Sequence, residues 1–345
     1  MGSSVNKEKL KILITEKAKI LLIVLWLLVL STALFAQHEI VVGPDYPKDS
    51  LLTDLGNPKG NRFEFEMPLS ESEIYRGDDA SLNPQKPLRT SRKIDVYVPA
   101  AYKNGTQAPI LVTLDGPSHF DEICHALDNS TVSSRENKTI PPLILISVQN
   151  GGDNAKGSQR GLEYDTMSDR FARFINDEVL PAVLNNSAIK QVYPGFSISD
   201  NPNDRAVMGC SSGGAAAFTM AWFRPDLFRR VISYSGTFVD QQDDDAPEEK
   251  AFLLGAAEYH SGMKLIENNV KKPLRVFIQV SEDDLGANNI SNPARNWVVA
   301  NNLMSVALNK KGYASRFVIS RDSRHCDDKV FNYTIVQALN WIWKD

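Results

Sequence analysis

The chain has little of what metal proteins, nucleic-acid binders and disulfide scaffolds require. Only three cysteines occur in 345 residues, Cys124, Cys210 and Cys326, and no two form a C-x-x-C pair. Without that spacing, and with no H-E-x-x-H, a zinc ribbon or a helical zinc-protease site has no support. Three cysteines allow one disulfide with one thiol left over. Excess charge is also scarce. The formal net charge is −4, too small to point to nucleic acid or an anionic membrane surface. Internal repeats and low-complexity tracts are absent. Histidine is rare too, with five residues, so each can be weighed as a base.

One long apolar run is present, at the N-terminus. Lys7, Lys9, Lys11, Lys17 and Lys19 precede it, and it extends over residues 20–36 to small residues at its end. A basic region, a short apolar core and a small-residue end predict a secretory signal peptide over residues 1–36, cleaved after Ala36. The alternative is an uncleaved signal anchor, because the run reaches the lower limit for a membrane span. Either reading places the remainder outside the cytoplasm, secreted, periplasmic or tethered, where a disulfide persists. A membrane partner follows only from the anchor. Residues 37–60 carry Pro44, Pro47, Gly56, Pro58 and Gly60 and read as an extended lead-in. Residues 61–345 suffice for one large domain.

Strand and helix signals alternate along that domain. Residues 62–67 and 93–98 alternate apolar and polar side chains as strands do. Residues 109–114 and 143–148 are short continuous apolar runs, suited to a parallel sheet covered on both faces. Further strands are expected at 206–208, 229–234, 274–280 and 316–319. Helices are expected at 168–184, 213–223, 297–308 and 330–343. The order implies a doubly wound, mostly parallel α/β sheet with helices on both faces. Residues 240–270, acidic at Asp243-Asp244-Asp245 and then amphipathic, read as a small cap.

The strongest chemical signal is Gly209-Cys210-Ser211-Ser212-Gly213, a G-x-S-x-G between a strand and a small-residue helix. Such a turn presents a nucleophilic serine, and it needs glycines where side chains would collide with strand and helix. Ser211 is the candidate nucleophile. The amide of Ser212, at the helix N-terminus, points toward a developing oxyanion. His325 is the candidate base, the one histidine after the last expected strand. An acid is expected after the strand at 274–280, among Glu282, Asp283 and Asp284.

Three stretches carry a resemblance: Gly161-Leu162-Glu163-Tyr164-Asp165 through Phe171, Asp204-Arg205-Ala206-Val207-Met208 through Gly214, and Ala221-Trp222-Phe223-Arg224-Pro225-Asp226-Leu227-Phe228. They resemble the putative-esterase family of α/β-hydrolases, in its branch of enterochelin esterases, esterase D and feruloyl esterases. The likeness extends to Asn296-Trp297-Val298-Val299-Ala300-Asn301 and Ala338-Leu339-Asn340-Trp341-Ile342-Trp343. It implies an α/β-hydrolase fold and a Ser-His-acid triad, with the acid on Asp284. It implies a carboxylic ester hydrolase needing no metal or organic cofactor. Its substrate would be a small-molecule or carbohydrate ester: polysaccharide-linked, aromatic (feruloyl or acetyl) or a siderophore lactone. An acyltransferase with the same triad, or a binding protein of the same fold, are the alternatives.

The resemblance also places the loop of Arg160 and Glu163 at the rim of the site. There Arg160 would meet a substrate anion and Glu163 would brace its neighbours, or the two would form structural ion pairs. Pro117 departs from the family, since it has no N–H for the oxyanion hole. Gly116 or Ser118 must then donate. Two further departures are the cysteines beside Ser211 and His325. If those two residues meet in the fold, Cys210 and Cys326 meet with them and bridge. The paired Cys-Ser and His-Cys arrangement resembles that of tannases and fungal feruloyl esterases, where the two cysteines are joined.

Overall fold

A computed structural model describes residues 39–132, 140–153, 156–241, 255–289 and 293–344. The expected signal segment and the acidic run at 243–245 lie outside them. From Ile40 onward the chain forms one unit.

Eleven strands are described: β1 (Glu39–Val42), β2 (Asn61–Pro68), β3 (Ser91–Val98), β4 (Gln107–Ala108), β5 (Ile110–Leu114), β6 (Ile144–Val148), β7 (Ser197–Ile198), β8 (Arg205–Cys210), β9 (Arg230–Tyr234), β10 (Arg275–Asp283) and β11 (Ala314–Arg324). The main helices are α1 (Phe120–Val132), α2 (Gln159–Tyr164), α3 (Arg170–Arg173), α4 (Leu180–Asn185), α5 (Ser187–Val192), α6 (Ser212–Phe223), α7 (Leu265–Asn268), α8 (Trp297–Lys310) and α9 (Asp328–Ile342). The helix expected at 168–184 forms with a π-helical turn, Phe174–Val179, between α3 and α4. That turn precedes Pro181, which has no N–H to continue an α-helical ladder.

Nine strands make one sheet in the order β1-β11-β10-β9-β8-β5-β6-β3-β2, while β4 and β7 pair separately. From β6 through β11 the neighbours run parallel, and β2 and β3 are antiparallel at one edge. The apolar runs explain this. β5 and β6 are buried at every residue, as strands covered on both faces must be. One face packs Phe174, Phe218, Trp222 and Met304 against the sheet, and the other packs Phe120, Leu127, Phe331 and Leu339. This is an α/β-hydrolase fold.

The chain leaves β5 toward β6 on one side and returns to β8 on the other. A sheet of this kind opens a crevice at the carboxyl ends of the strands where the order reverses. Here the crevice lies between the residues after β5 and the turn after β8. β11 runs further than expected, through Arg324, and pairs Arg324 with Asp283 of β10 after a register shift. The stretch before His325 is therefore strand, and it needs no glycine. Its left-handed positions are filled by Asp322 (φ 46°) and, just beyond the strand, Cys326 (φ 50°).

Candidate active site

Between β8 and α6 the chain turns at Ser211, held at φ 59°, ψ −129°. Two backbone bonds fix it: its N–H donates to the Tyr234 carbonyl at 3.0 Å, and its carbonyl accepts from the Thr237 N–H at 3.0 Å. A Cβ on Gly209 would lie 2.3 Å from the Gly213 carbonyl carbon, so the closeness of strand and helix requires that glycine. A Cβ on Gly213 would lie 3.1 Å from Asp115 Oδ2, a tight contact with the turn after β5.

His325 Nδ1 lies 2.5 Å from Asp284 Oδ1. Asp284 is 3% exposed; its Oδ2 accepts from Ser235 Oγ at 2.6 Å and its Oδ1 from the Leu285 N–H at 2.8 Å. Asp283 and Glu282 are exposed, and Glu282 accepts from the Asp322 N–H at 3.2 Å. Of the three acids, Asp284 is the one that meets the imidazole. Its position leaves Nε2 as the free ring nitrogen. Trp297 packs edge-on to the ring, centroids 6.1 Å apart.

Cys210 and Cys326 are bonded, Cα atoms 6.1 Å apart across 116 residues of sequence. Cys124 is free and buried, and burial pushes its thiol well up. The bridge joins the residue before Ser211 to the residue after His325. A loop of this length is worth roughly 4–5 kcal/mol in the chain-entropy model. We expect the paired substitution Cys210→Ser with Cys326→Ser to lower unfolding free energy toward that amount. Unreduced peptide mapping should recover a Cys210–Cys326 pair while Cys124 alkylates only after unfolding. Three alkylatable thiols in the native oxidised protein would contradict the bridge.

One expected donor is corrected, and for Arg160 and Glu163 the ion-pair alternative is the one the structure shows. The Gly116 N–H donates to the Val148 carbonyl at 3.1 Å, so it continues the sheet and does not face an oxyanion. Glu163 is 1% exposed and pairs with buried Arg92 at 2.5 Å, while accepting from the Gly151 N–H and Gln159 Nε2. It has no route to a substrate. Arg160, 7% exposed, grips Asp115 with two bonds of 2.7 Å and lies over Tyr164. Asp115 sits at φ 60°, and Asn150 Nδ2 also donates to it at 2.6 Å. The Arg160 charge therefore braces the turn after β5 and is not held out for a substrate anion.

Asp165 caps the C-terminus of α2, and its carboxyl faces the Ser212 hydroxyl. Burial pushes the Asp165 carboxyl up to about 6, against the opposing pull of Ser212 and Arg160. Because the folded value lies above the unfolded one, this group favours folding below pH ~4 and loses that contribution as pH rises toward 6. Asp165→Asn should remove the decline, worth up to about 3 kcal/mol. Melting curves of both proteins between pH 4 and 7 check this. A stability difference constant across that range would refute it.

A cavity of about 130 Å³ lies behind the bridge, lined by Leu114, Ser118, His119, Met208, Cys326 and Phe331 among others. His119 stacks on Phe331 with centroids 3.8 Å apart. Of the segment expected as a cap, residues 240–241 and 255–270 are described, and Tyr259 packs there on Phe218 and Trp222 of α6.

The turn after β9, Ser235-Gly236-Thr237, is the part of the site that motif reading missed. Ser235, at φ 44°, donates to Asp284 and accepts from the Cys326 N–H at 3.3 Å. Thr237 Oγ1 lies 3.3 Å from Ser211 Oγ. One short turn thus touches the serine, the acid and the histidine's neighbour. Its available signal was three small residues directly following an apolar strand.

Residues 86–341 match the family described as Putative esterase. The chain belongs to that family. Among curated relatives of this esterase-family chain, the uncharacterized protein YbbA of Bacillus subtilis (strain 168) is 23% identical over 151 residues, 43% of this chain and 58% of the relative. The iron(III) enterobactin esterase of Dickeya dadantii (strain 3937) is 28% identical over 153 residues, 44% of this chain and 31% of the relative. The matched stretch spans less than two thirds of either protein. A solved ferulic acid esterase superposes with a TM-score of 0.54 at 16% identity, covering 82% of this chain and 97% of its own. At that identity the likeness is one of fold.

Proposed function

We propose that the chain is a serine esterase cleaving a carboxylic ester through an acyl-enzyme. The observation that carries this is the Asp284–His325 pair, tied by a disulfide to the strained turn bearing Ser211. Ser211 Oγ attacks the ester carbonyl, and its proton passes to His325 Nε2. Asp284, bonded to Nδ1, holds the tautomer and stabilises the imidazolium. The Ser212 amide receives the oxyanion at the start of α6. With Gly116 committed to Val148 and Pro117 lacking a hydrogen, the second donor is the Ser118 amide. The proton on Nε2 then leaves with the alcohol, and water repeats the sequence in reverse order.

The substrate proposed is an aromatic or polysaccharide-linked ester or a siderophore lactone. This follows from the relatives' printed activities and from the paired Cys-Ser and His-Cys arrangement. An oxidising compartment suits the bridge, in keeping with export by the N-terminal segment. The test is turnover of p-nitrophenyl acetate, methyl ferulate and a catecholate trilactone by the oxidised protein, with product analysis separating hydrolysis from acyl transfer. Hydrolysis of none of the three would defeat the reading.

A further inference from the structure

We infer that Thr237 is a positioning residue for the nucleophile: its hydroxyl donates to Ser211 Oγ and leaves the serine's own hydrogen for His325. The inference rests on Ser211 being the nucleophile.

Thr237 is 1% exposed, and its Oγ1 has two partners, Trp297 Nε1 at 3.3 Å and Ser211 Oγ at 3.3 Å. An indole N–H only donates, and a hydroxyl has a single hydrogen. Toward Trp297 the threonine oxygen must therefore accept. The oxygen has a second lone pair, but if it also accepted from Ser211 its own buried hydrogen would have no partner among the described contacts; donation to Ser211 Oγ satisfies it, and the serine hydrogen is then left for an acceptor elsewhere. Among the described contacts Ser211 Oγ bonds only Thr237 Oγ1; in the proposed reaction its hydrogen goes to His325 Nε2, because Nδ1 faces Asp284. The bonds run one way, from indole to threonine to serine, and the imidazole joins this order in the proposed reaction.

Each member is fixed from behind. The Thr237 N–H donates to the Ser211 carbonyl at 3.0 Å. Asn301 Nδ2 donates to the Gly236 and Trp297 carbonyls, both at 2.8 Å, clamping the turn to the first turn of α8. Asn296 caps α8 through the Val299 N–H at 3.1 Å. The stretch Asn296-Trp297 through Asn301 thus has a physical task, to aim one indole N–H. Both 3.3 Å bonds are long for the resting site, and bonds of this kind tighten as the reacting oxygen gains charge. No atom is transferred at Thr237; its bond steadies Ser211 Oγ while the proton leaves.

The test measures the fluorophosphonate labelling rate of Ser211, with kcat and KM on one ester, for Thr237→Val, Thr237→Ser, Trp297→Phe and the pair Thr237→Val with Trp297→Phe. Thr237→Val keeps the shape and removes the hydroxyl. It should slow labelling and kcat about tenfold, the size of one neutral hydrogen bond, with KM within about twofold. Thr237→Ser should recover most of both rates. Trp297→Phe, which keeps a ring edge toward His325 and removes the indole N–H, should lose less, and the pair should be no slower than Thr237→Val alone, because that N–H acts through the threonine. Unchanged rates in Thr237→Val, equal losses in the Val and Ser variants, or fully additive losses in the pair would overturn the inference. If Thr237→Val does not fold, Trp297→Phe decides: about threefold slower labelling at constant KM supports it, and wild-type labelling overturns it. If wild-type Ser211 labels but no ester turns over, the esterase reading fails and the labelling rates still judge Thr237. If Ser211 does not label, both fall.

Discussion

Ser211→Ala should leave a folded protein with ester turnover reduced about 10⁶-fold, the scale on which loss of a triad serine acts elsewhere. The expectation follows from how little else depends on that hydroxyl. Its one hydrogen bond in the structure is to Thr237 Oγ1, whereas the turn itself is held by backbone bonds to Tyr234 and Thr237 and by the bridge. Removing the hydroxyl removes the attacking atom and leaves the scaffold in place. Ser212→Ala should cost far less turnover, because its amide stays at the head of α6. It would free the Asp165 carboxyl from its hydroxyl partner. Mass spectrometry after fluorophosphonate treatment, with kcat for both variants, checks this. Label on another residue, or substantial turnover by Ser211→Ala, would remove the mechanism.

Asp284→Asn should lower kcat by about 10⁴-fold, as loss of the triad carboxylate does in a serine protease. Asp284 uses both oxygens: Oδ1 for His325 and the Leu285 N–H, Oδ2 for Ser235 and the Ser281 N–H. An amide has one accepting oxygen. If that oxygen faces His325, the NH₂ group points at the Ser235 hydroxyl and the Ser281 N–H. If it faces those two, the NH₂ group meets Nδ1 and selects the tautomer with hydrogen on Nε2, which cannot take the serine proton. Asp283→Asn should have little effect, because that side chain is exposed at the end of β10. Single-turnover kinetics on an activated ester separate the acylation step from binding. A larger loss for Asp283 than for Asp284 would move the acid by one residue.

The elements that carry the site were readable because their residues leave few choices. Val207 and Met208 entering a glycine-bounded serine admit little but strand, turn and helix, and that turn formed. α1 is not among the expected helices, although Phe120, Ile123, Cys124 and Leu127 fall at helical spacing within it. β1 is different: four residues on a sheet edge, three of them exposed, leave no pattern to see. Arg160 and Glu163 could not be assigned from local sequence, because their partners Asp115 and Arg92 are distant in the chain and only the folded sheet brings them together. Gly116 was open for a similar reason. Whether a backbone N–H is available depends on the neighbouring strand, and β6 takes this one. The Ser235–Thr237 turn has no signature of its own, because its hydroxyls matter only once β8, β9 and β10 lie side by side.

The two halves of the site lie on opposite sides of 116 residues of chain, and their order along it has a consequence for synthesis. Domains form from the N-terminus as the polypeptide emerges. β5, β8 and α6 therefore precede β11 and α9 by a long interval, and for that interval the serine exists without its base. Under the proposed mechanism, a polypeptide halted between Ser211 and His325 would have the nucleophile and no imidazole to activate it. Completion falls to the last two described elements, β11 and α9, flanking the histidine and the second sulfur. Under that mechanism the timing would keep copies unfinished before His325 chemically silent.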